Sequence, residues 1–449
     1  MSRDLDRDDT AAAPPRHGQT TAAMTPNASA ASGNGNGVHA AQSSQPRKAE
    51  LAALPDPLLL QIFELVGLHS KSSLSSVSRL NRHYHGLADS ILYKRVHFDT
   101  PELHLVFSES LQRRPRRGSA IYDISLSYPS SELERLTQPA ENGDHYTPPP
   151  LRVDGLSRTI SAMSNLESLN VAVPETLLHG IGTLFNGPFD LACLKSCTLF
   201  YQCKDDQYWD LQENIHIFSH PSLESLIIRR AKLDYRGFES MERPHETALQ
   251  KLHFIECDIN DDALSDILEF PEALREFVMT QLPEPVPELE ESSDDAGDYI
   301  IALSAQAPTL ESITIDVPTL GGRKTLRMRE FTALKTLRLG WDYHLFGKTS
   351  KRARLHSIGM PPNLVTLELF NELGTDEGVT DLMVSMLQIG TILATKWEKF
   401  IVVADEDGKV PQVIIDACKQ GGVELEIIGH IEEDDEGEQL VDEPEEMSD

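Results

Sequence analysis

One short pattern of apolar residues recurs along most of the chain. It consists of an apolar residue, two residues of any type, a second apolar residue, one residue of any type and a third apolar residue. The copies are Ile121-Ile124-Leu126, Leu166-Leu169-Val171, Leu194-Cys197-Leu199, Leu223-Leu226-Ile228, Leu249-Leu252-Phe254, Leu274-Phe277-Met279, Leu310-Ile313-Ile315, Leu334-Leu337-Leu339, Leu364-Leu367-Leu369, Trp397-Phe400-Val402 and a weaker Leu425-Ile427. Apart from the weak last copy, successive copies begin 24 to 36 residues apart, except for a gap of 45 residues after Ile121. This spacing predicts a repeat architecture.

Each copy predicts a short strand followed by a return segment. The second and third apolar residues of a copy point inward, and the residues between and after them point outward. The return segments 261–270, 298–307, 378–397 and 410–420 have helical patterns. One strand with one helix cannot bury its own core, whereas stacked copies can. We therefore predict an α/β fold: a right-handed β/α solenoid over residues 99–430, with an acidic insert at 283–298.

One copy carries a more specific signature. Residues 249–264 read LQKLHFIECDINDDAL. This segment resembles the cysteine-containing leucine-rich repeat. The resemblance implies that Cys257 packs inside the turn that follows the strand.

The front of the chain has a different pattern. Residues 53–68, ALPDPLLLQIFELVGL, are apolar on almost every side of the predicted helix. A surface helix of a globular protein normally has one apolar stripe. Here Leu58, Ile62, Leu65 and Val66 share one face, and Leu59, Leu60 and Phe63 spread over the other side, so a second apolar side needs a cover. Either the first repeat or a partner protein could provide it.

Residues 49–98 resemble an F-box. The matching features are Leu54-Pro55, Leu58-Leu59, Ile62-Phe63, the second helix from Leu74 to Asn81, and Ile91-Leu92-Tyr93. Pro57 departs from the family pattern, which usually has an acidic residue there, but proline is tolerated in the first turn of a helix. The resemblance implies docking on the Skp-type adaptor of cullin–RING ubiquitin ligases. It nominates as adaptor-binding residues Leu54, Pro55, Leu58, Leu59, Ile62, Val77 and Leu80.

Composition limits the classes of partner. The net charge is −31, and residues 431–449 hold eleven Asp and Glu without Lys or Arg. Such a chain is a poor candidate for nucleic-acid binding, which needs cations to displace phosphate counterions. No apolar run is long enough for a membrane helix. We expect residues 1–48 and 431–449 to be disordered because they contain too few apolar residues to form a core.

The cysteines and the known motifs give no sign of catalysis. Five cysteines at irregular spacing, without a secretory signal, are typical of a reducing compartment, so we expect a cytoplasmic or nuclear protein. The group Cys193, Cys197, Cys203, His216 and His220 matches no usual zinc framework, and Cys197 occupies an inward strand position. No catalytic motif is present. We expect no metal, no cofactor and no enzymatic activity.

A basic segment stands out against the acidic chain. Residues 321–354 contain ten Lys and Arg against one Glu and one Asp. Most of these cations are expected to form a solvated surface. Arg338, however, has an outward strand position close to Trp341 and Tyr343, which suits an acidic or phosphorylated peptide. The acidic tail could instead fold back onto this segment. The candidate substrate-binding residues are Arg229, Arg338, Trp341, Tyr343 and Phe370.

Two functions are consistent with these features. The first is a substrate receptor of a cullin–RING ubiquitin ligase, which docks through its F-box-like segment on the adaptor, and through it on a cullin, and holds a protein target on the solenoid. The second is an interaction scaffold in which the same helical segment only caps the first repeat, because solenoids need capped ends.

Overall fold

A computed structural model describes the body of the protein. The described residues are 54–129, 159–178, 181, 183–185, 191–204, 207–241, 246–282, 289, 292–323, 327–340, 345, 359–374, 377–404 and 408–429. The predictions for residues 1–48 and 431–449 lie outside these ranges.

Fifteen strands are present in the described residues. They are β1 Arg95–Phe98, β2 Asp123–Ser127, β3 Ser168–Pro174, β4 Ser196–Gln202, β5 Trp209–Asp210, β6 Ser225–Arg229, β7 Ala231–Leu233, β8 Lys251–Ile255, β9 Asp258–Ile259, β10 Glu276–Thr280, β11 Ser312–Asp316, β12 Thr336–Leu339, β13 Thr366–Glu372, β14 Lys399–Val403 and β15 Glu424–Ile428. Twelve form one parallel sheet in the order β1-β2-β3-β4-β6-β8-β10-β11-β12-β13-β14-β15. The short strands β5, β7 and β9 form a second parallel sheet.

Eight α-helices accompany the strands in the same residues. They are α1 Asp56–His69, α2 Lys71–Ser78, α3 Arg82–Leu92, α4 Pro101–Arg113, α5 Asp261–Ile267, α6 Ala296–Leu303, α7 Glu377–Leu393 and α8 Gln412–Gly421. Other return segments are 3-10 helices, at Pro115–Ala120, Glu175–Leu177, Thr183–Phe185, Leu211–Ser219, Phe238–Ser240 and Ser304–Gln306.

The strand pattern predicted from sequence is confirmed. In β4, Cys197 and Leu199 are buried, while Thr198 and Phe200 face outward. Equivalent residues of successive copies are register partners, so that Leu252 lies beside Phe277. Each inward side chain therefore packs between those of its neighbours. The result is the expected mixed α/β fold, a leucine-rich-repeat-like solenoid with a continuous apolar interior.

Cys257 connects its repeat to the preceding repeat through hydrogen bonds. Its Sγ accepts a hydrogen bond from the amide of Ala231 at 3.4 Å and donates to the carbonyl of Ile228 at 3.4 Å. The side chain is buried in the turn after β8, the place that the leucine-rich-repeat resemblance implies. Burial raises the pKa of the Cys257 thiol to about 12, so the group stays neutral.

Helix α5 follows this turn, and Asn260 is its N-terminal cap. The side chain of Asn260 accepts hydrogen bonds from the amides of Asp262 and Ala263, at 2.9 and 3.1 Å. Asparagine is favoured at this position because its side chain satisfies amides that have no partner within the helix. Helix α5 ends at Ile267, three residues before the predicted end, and Pro271 follows.

The first three helices form a small helical block (α1–α3). Its interior contains Leu59, Phe63 and Leu74, and the ring of Tyr84 meets Phe63 edge-on at 5.4 Å. Strand β1 follows α3 directly and pairs with β2. The last four residues of the segment 49–98 are therefore the first strand of the solenoid. The block and the repeats belong to one compact unit that begins at Pro55.

Candidate functional site

An uncovered apolar surface runs along α1. At 3.6 residues per turn, Leu58, Ile62, Leu65 and Leu68 fall within about one third of the helix circumference. Leu58, Leu65 and Leu68 are 45%, 61% and 72% exposed, and Ile62 is partly exposed. We call these four residues the leucine stripe.

The first repeat packs against a different part of the helical block. Arg117 lies 3.4 Å from the carboxylate of Asp89 on α3, and its guanidinium sits 4.7 Å from the ring centre of Tyr93. Tyr93 also stacks on Phe107 of α4. The first repeat therefore covers the end of α3. It leaves the leucine stripe exposed.

Six of the seven residues nominated for adaptor binding are exposed or partly exposed. Pro55, Leu58 and Leu80 are exposed, whereas Leu54, Ile62 and Val77 are partly exposed. His83, three residues after Leu80, lies 3.0 Å from Asp56, which brings the start of α1 beside the start of α3.

Leu59 differs from the other nominated residues because only 1% of its surface is exposed. It belongs to the interior of the helical block, where a partner cannot reach it in this conformation. Leu65 and Leu68 are exposed and were not nominated. The spacing of Leu65, seven residues after Leu58 on one helix face, is a signal that could have identified it.

A groove lies where the three helices of the helical block meet the start of β1. It has a volume of about 400 Å³, and apolar side chains of all three helices line it. The charged residues that line it are Glu64, Lys71, Lys94 and Arg95. Leu68 lines the groove as well, so the groove continues the leucine stripe.

The candidate substrate-binding residues do not form one site. Arg229 lies on β6 and Arg338 on β12, four strands apart in the sheet. With about 4.8 Å between strands, their backbones are roughly 19 Å apart. Phe370 is partly exposed on β13, beside the strand of Arg338. Trp341 and Tyr343 lie outside the described residues.

Arg338 already has an acidic neighbour. Its Nε lies 2.8 Å from the carboxylate of Glu368, which occupies the equivalent position on the next strand. Two other described cations of the basic segment are paired in the same way, Lys335 with Glu311 at 2.6 Å and Arg323 with Asp294. Carboxylates of the same chain thus pair with three of the five described cations of this segment.

Arg229 has a different environment. Its guanidinium lies 5.4 Å from the ring centre of Phe200 on the neighbouring strand. On the other side its register partner is Ile255, and Ile227 faces outward two residues earlier. We call Phe200, Ile227, Arg229 and Ile255 the central patch. Within the described part of the chain, no carboxylate pairs with Arg229.

The cysteine and histidine group of the sequence does not converge. Cys193 is exposed, and Cys197 is fully buried in the strand core, where burial raises the pKa of its thiol. No three His, Cys, Asp or Glu side chains are arranged to hold a metal ion in the regions that the structure describes. None of the helices in those regions is long and apolar enough to cross a membrane.

Comparisons with known proteins add little to this picture. No protein-family model and no curated protein sequence matches the chain. Among solved structures, the chain is similar to the crystal structure of the leucine-rich repeat-containing protein LegL7 from Legionella pneumophila. The match has a TM-score of 0.33 and 13% identity, and it covers 75% of this chain and 90% of that one. What the surfaces bind is therefore inferred from their own geometry.

Proposed function

We propose that this protein is a substrate receptor of a cullin–RING ubiquitin ligase. The observation that carries the proposal is the leucine stripe, an exposed apolar face on a helical block that resembles an F-box in sequence. Three large aliphatic side chains on one helix face are costly to leave in water, since burial of each is worth about 1.5–3 kcal/mol. A Skp-type adaptor is the cover that the resemblance implies.

In this proposal the protein contributes proximity and no bond chemistry. The helical block holds the adaptor, and the outward face of the sheet holds a protein target. The ligase then acts on a target whose effective concentration is raised by tethering. The central patch is the preferred target contact because Arg229 stacks on an aromatic ring and lacks a carboxylate among the described residues. Arg338 and Phe370 form a second candidate contact, in which Glu368 of the same chain already pairs with Arg338.

Capture after co-expression tests the proposal. The full chain would be co-expressed with a Skp-type adaptor and captured through a tag on the adaptor. A double variant, Leu58→Ser with Leu65→Ser, should reduce capture at least about tenfold, because each lost apolar contact removes more than 1.4 kcal/mol. The matched control is Ile392→Ser with Val413→Ser, which changes two exposed apolar residues of α7 and α8. Equal capture of both variants and the unchanged chain would refute adaptor docking through the stripe.

A capping scaffold is the second candidate. The contacts of Arg117 with Asp89 and Tyr93 favour it, because they seal the first repeat with α3. A pure cap predicts no adaptor capture and a chain that is monodisperse by itself. A receptor predicts a chain that self-associates through the stripe until the adaptor is present. Size-exclusion chromatography with and without adaptor separates the two.

A further inference from the structure

The two edge strands of the twelve-stranded sheet are covered differently. At the first edge, β1 is preceded by the helical block, and Nζ of Lys71 donates a hydrogen bond to the carbonyl of Arg95 at 3.1 Å. In a parallel pair, alternate residues of a strand bond to the neighbouring strand. The amide of Asp123 donates to the carbonyl of Lys94, so the carbonyl of Arg95 points away from β2. Lys71 therefore satisfies a carbonyl on the outer side of this edge.

At the other edge, β15 has no such cover in the described residues. The amide of Glu424 donates to Glu398 at 2.7 Å, and the carbonyl of Ile428 accepts from Ala404 at 3.0 Å. These bonds direct Glu424, Glu426 and Ile428 toward β14. The N–H and C=O groups of Leu425 and Ile427 consequently point away from the sheet.

The side chains of the same two residues also lack cover. Leu425 and Ile427 are register partners of Phe400 and Val402, which are fully buried. Leu425 is only partly buried, and Ile427 is 43% exposed. The last turn of the solenoid therefore presents both a hydrogen-bonding edge and the end of its apolar core. An added strand with alternating apolar residues would complete both.

Acidic residues on β15 and in the sequence that follows it select the kind of strand. Residues 424–449 contain thirteen Asp and Glu and no Lys or Arg. On β15 itself, Glu424 and Glu426 are exposed, although Lys399 pairs with Glu426. An incoming strand with lysine or arginine at its outward positions would meet these carboxylates. Opposite charges on neighbouring strands are favourable.

The same charge disfavours two other occupants. In a symmetric pair of β15 strands from two copies, the carboxylates of one Glu426 and its equivalent would approach each other, and like charges in that position are destabilising. The chain's own residues 432–436 are all acidic and would be repelled likewise. Charged residues near an edge are a known protection against self-pairing.

We propose that β15 is a docking edge for a basic partner strand. The partner is an extended segment that alternates aliphatic residues with Lys or Arg. Its aliphatic side chains pack on Leu425 and Ile427, and its backbone pairs with the outward N–H and C=O groups of the same residues. This surface is separate from the leucine stripe and from the central patch.

Fluorescence anisotropy with labelled synthetic peptides tests the proposal on the full chain. A peptide that alternates lysine and valine should bind. A peptide that alternates lysine and glycine has equal charge but little tendency to form a strand, and it should bind at least about tenfold more weakly. A glutamate–valine peptide should not bind. Equal binding of both lysine peptides would overturn the proposal, because simple charge attraction would then suffice.

Two backbone variants make the test specific to the edge. Ile427→Pro removes the outward N–H but keeps the bonds to β14, and it should weaken binding of the lysine–valine peptide at least about tenfold. Ile427→Ala keeps the N–H and serves as the matched control, with a smaller loss. Circular dichroism and urea unfolding establish that both variants are folded. If Ile427→Pro binds as tightly as Ile427→Ala, β15 is not the docking edge.

Deletion of residues 431–449 distinguishes the remaining occupants. If a basic strand docks here, the deletion removes negative charge and weakens peptide binding. If the tail itself covers the edge, the deletion strengthens binding, which would overturn the proposal. Sedimentation velocity provides the third arm. A dimer of the unchanged chain that disappears in Ile427→Pro would assign the edge to a second copy instead.

Discussion

The repeats and the helical block bury their apolar residues to different extents. Inward residues of the repeats, such as Leu252 and Leu367, are fully buried because each strand has a neighbour on either side. On α1, Leu59 is buried, but Leu65, about 120° away around the same helix, is 61% exposed. Stacked strands complete one another's core. In the helical block, each of the three short helices buries only one of its faces against the other two.

This difference locates the surface where we propose that a partner binds. The interior of the solenoid is supplied by its own residues, apart from the edge at β15. The helical block buries enough to hold its three helices together, as expected for a small unit with a limited core. Its remaining apolar surface includes the stripe and Leu80, so a partner can bind there without disturbing the repeats.

The largest effect is expected inside the repeats. Phe254 is fully buried, and its ring centre lies 6.2 Å from that of Phe218 and 6.3 Å from that of Phe277. Phe254→Ala should lower the free energy of unfolding by about 3–5 kcal/mol, because it leaves a cavity among packed rings. Urea unfolding followed by circular dichroism measures the loss. Leu68→Ala, in an exposed position, should change it by less than about 0.5 kcal/mol. A similar small change for both would mean that the repeats are not closely packed.

The second prediction compares two leucines of one helix. Leu59→Ala should destabilise the helical block by about 2–5 kcal/mol, whereas Leu65→Ala should stay within about 0.5 kcal/mol. Hydrogen exchange of residues 56–92, followed by mass spectrometry, reports the local stability. Faster exchange in both variants would contradict the assignment of Leu65 to the surface.

The repeats were predictable because their signal is periodic. The inward positions of β8 and β10 follow from the spacing of Leu252, Phe254 and Phe277. Periodicity could not decide which side of α1 is covered, because apolar residues lie almost all round that helix. The F-box resemblance nominates Leu59 for adaptor binding, but the structure buries it. Its burial depends on contacts with α2 and α3, which the α1 pattern does not contain.

Cross-strand partners were predictable in part. Arg338 and Glu368 occupy equivalent positions of consecutive copies, so alignment of the copies places them side by side. The same alignment brings Arg229 beside Phe200. Whether an arginine pairs with a carboxylate or packs on a ring depends on the residue at the equivalent position of the neighbouring strand. That comparison between copies distinguishes the two arginines, and the sequence of either copy alone does not.

The third prediction concerns a polar group buried between α4 and the first repeats. His104 is fully buried, stacks on Phe98 and lies 3.2 Å from the Tyr128 hydroxyl. Burial lowers its pKa to about 4 from the ordinary 6.5. The folded state therefore favours the neutral ring, and stability is constant above about pH 7 but falls as the pH drops through 6.5 toward 4. Between pH 7 and pH 5 the loss should be about 2 kcal/mol.

His104→Gln isolates this contribution from the other histidines. The variant has a lower stability at neutral pH, but its pH dependence should lack the part that His104 supplies. Urea midpoints measured from pH 7.5 to pH 5 give the two slopes. Identical slopes for both chains would show that the ring is protonated in the folded state or reaches solvent before unfolding.

The smallest effect compares helix caps in the two regions. Asn81 begins α3, and its side chain accepts from the amide of Tyr84 at 2.7 Å. Asn260 begins α5 in the same way with two amides, but it is 1% exposed, whereas Asn81 is exposed. Alanine at either position should cost about 0.5–2 kcal/mol, with Asn260→Ala near the upper end and Asn81→Ala near the lower end, because water can replace the lost bond only at the exposed cap. Hydrogen exchange of each helix measures both losses. A larger loss for Asn81→Ala would mean that water replaces the lost bond less easily at the cap of α3 than at the cap of α5.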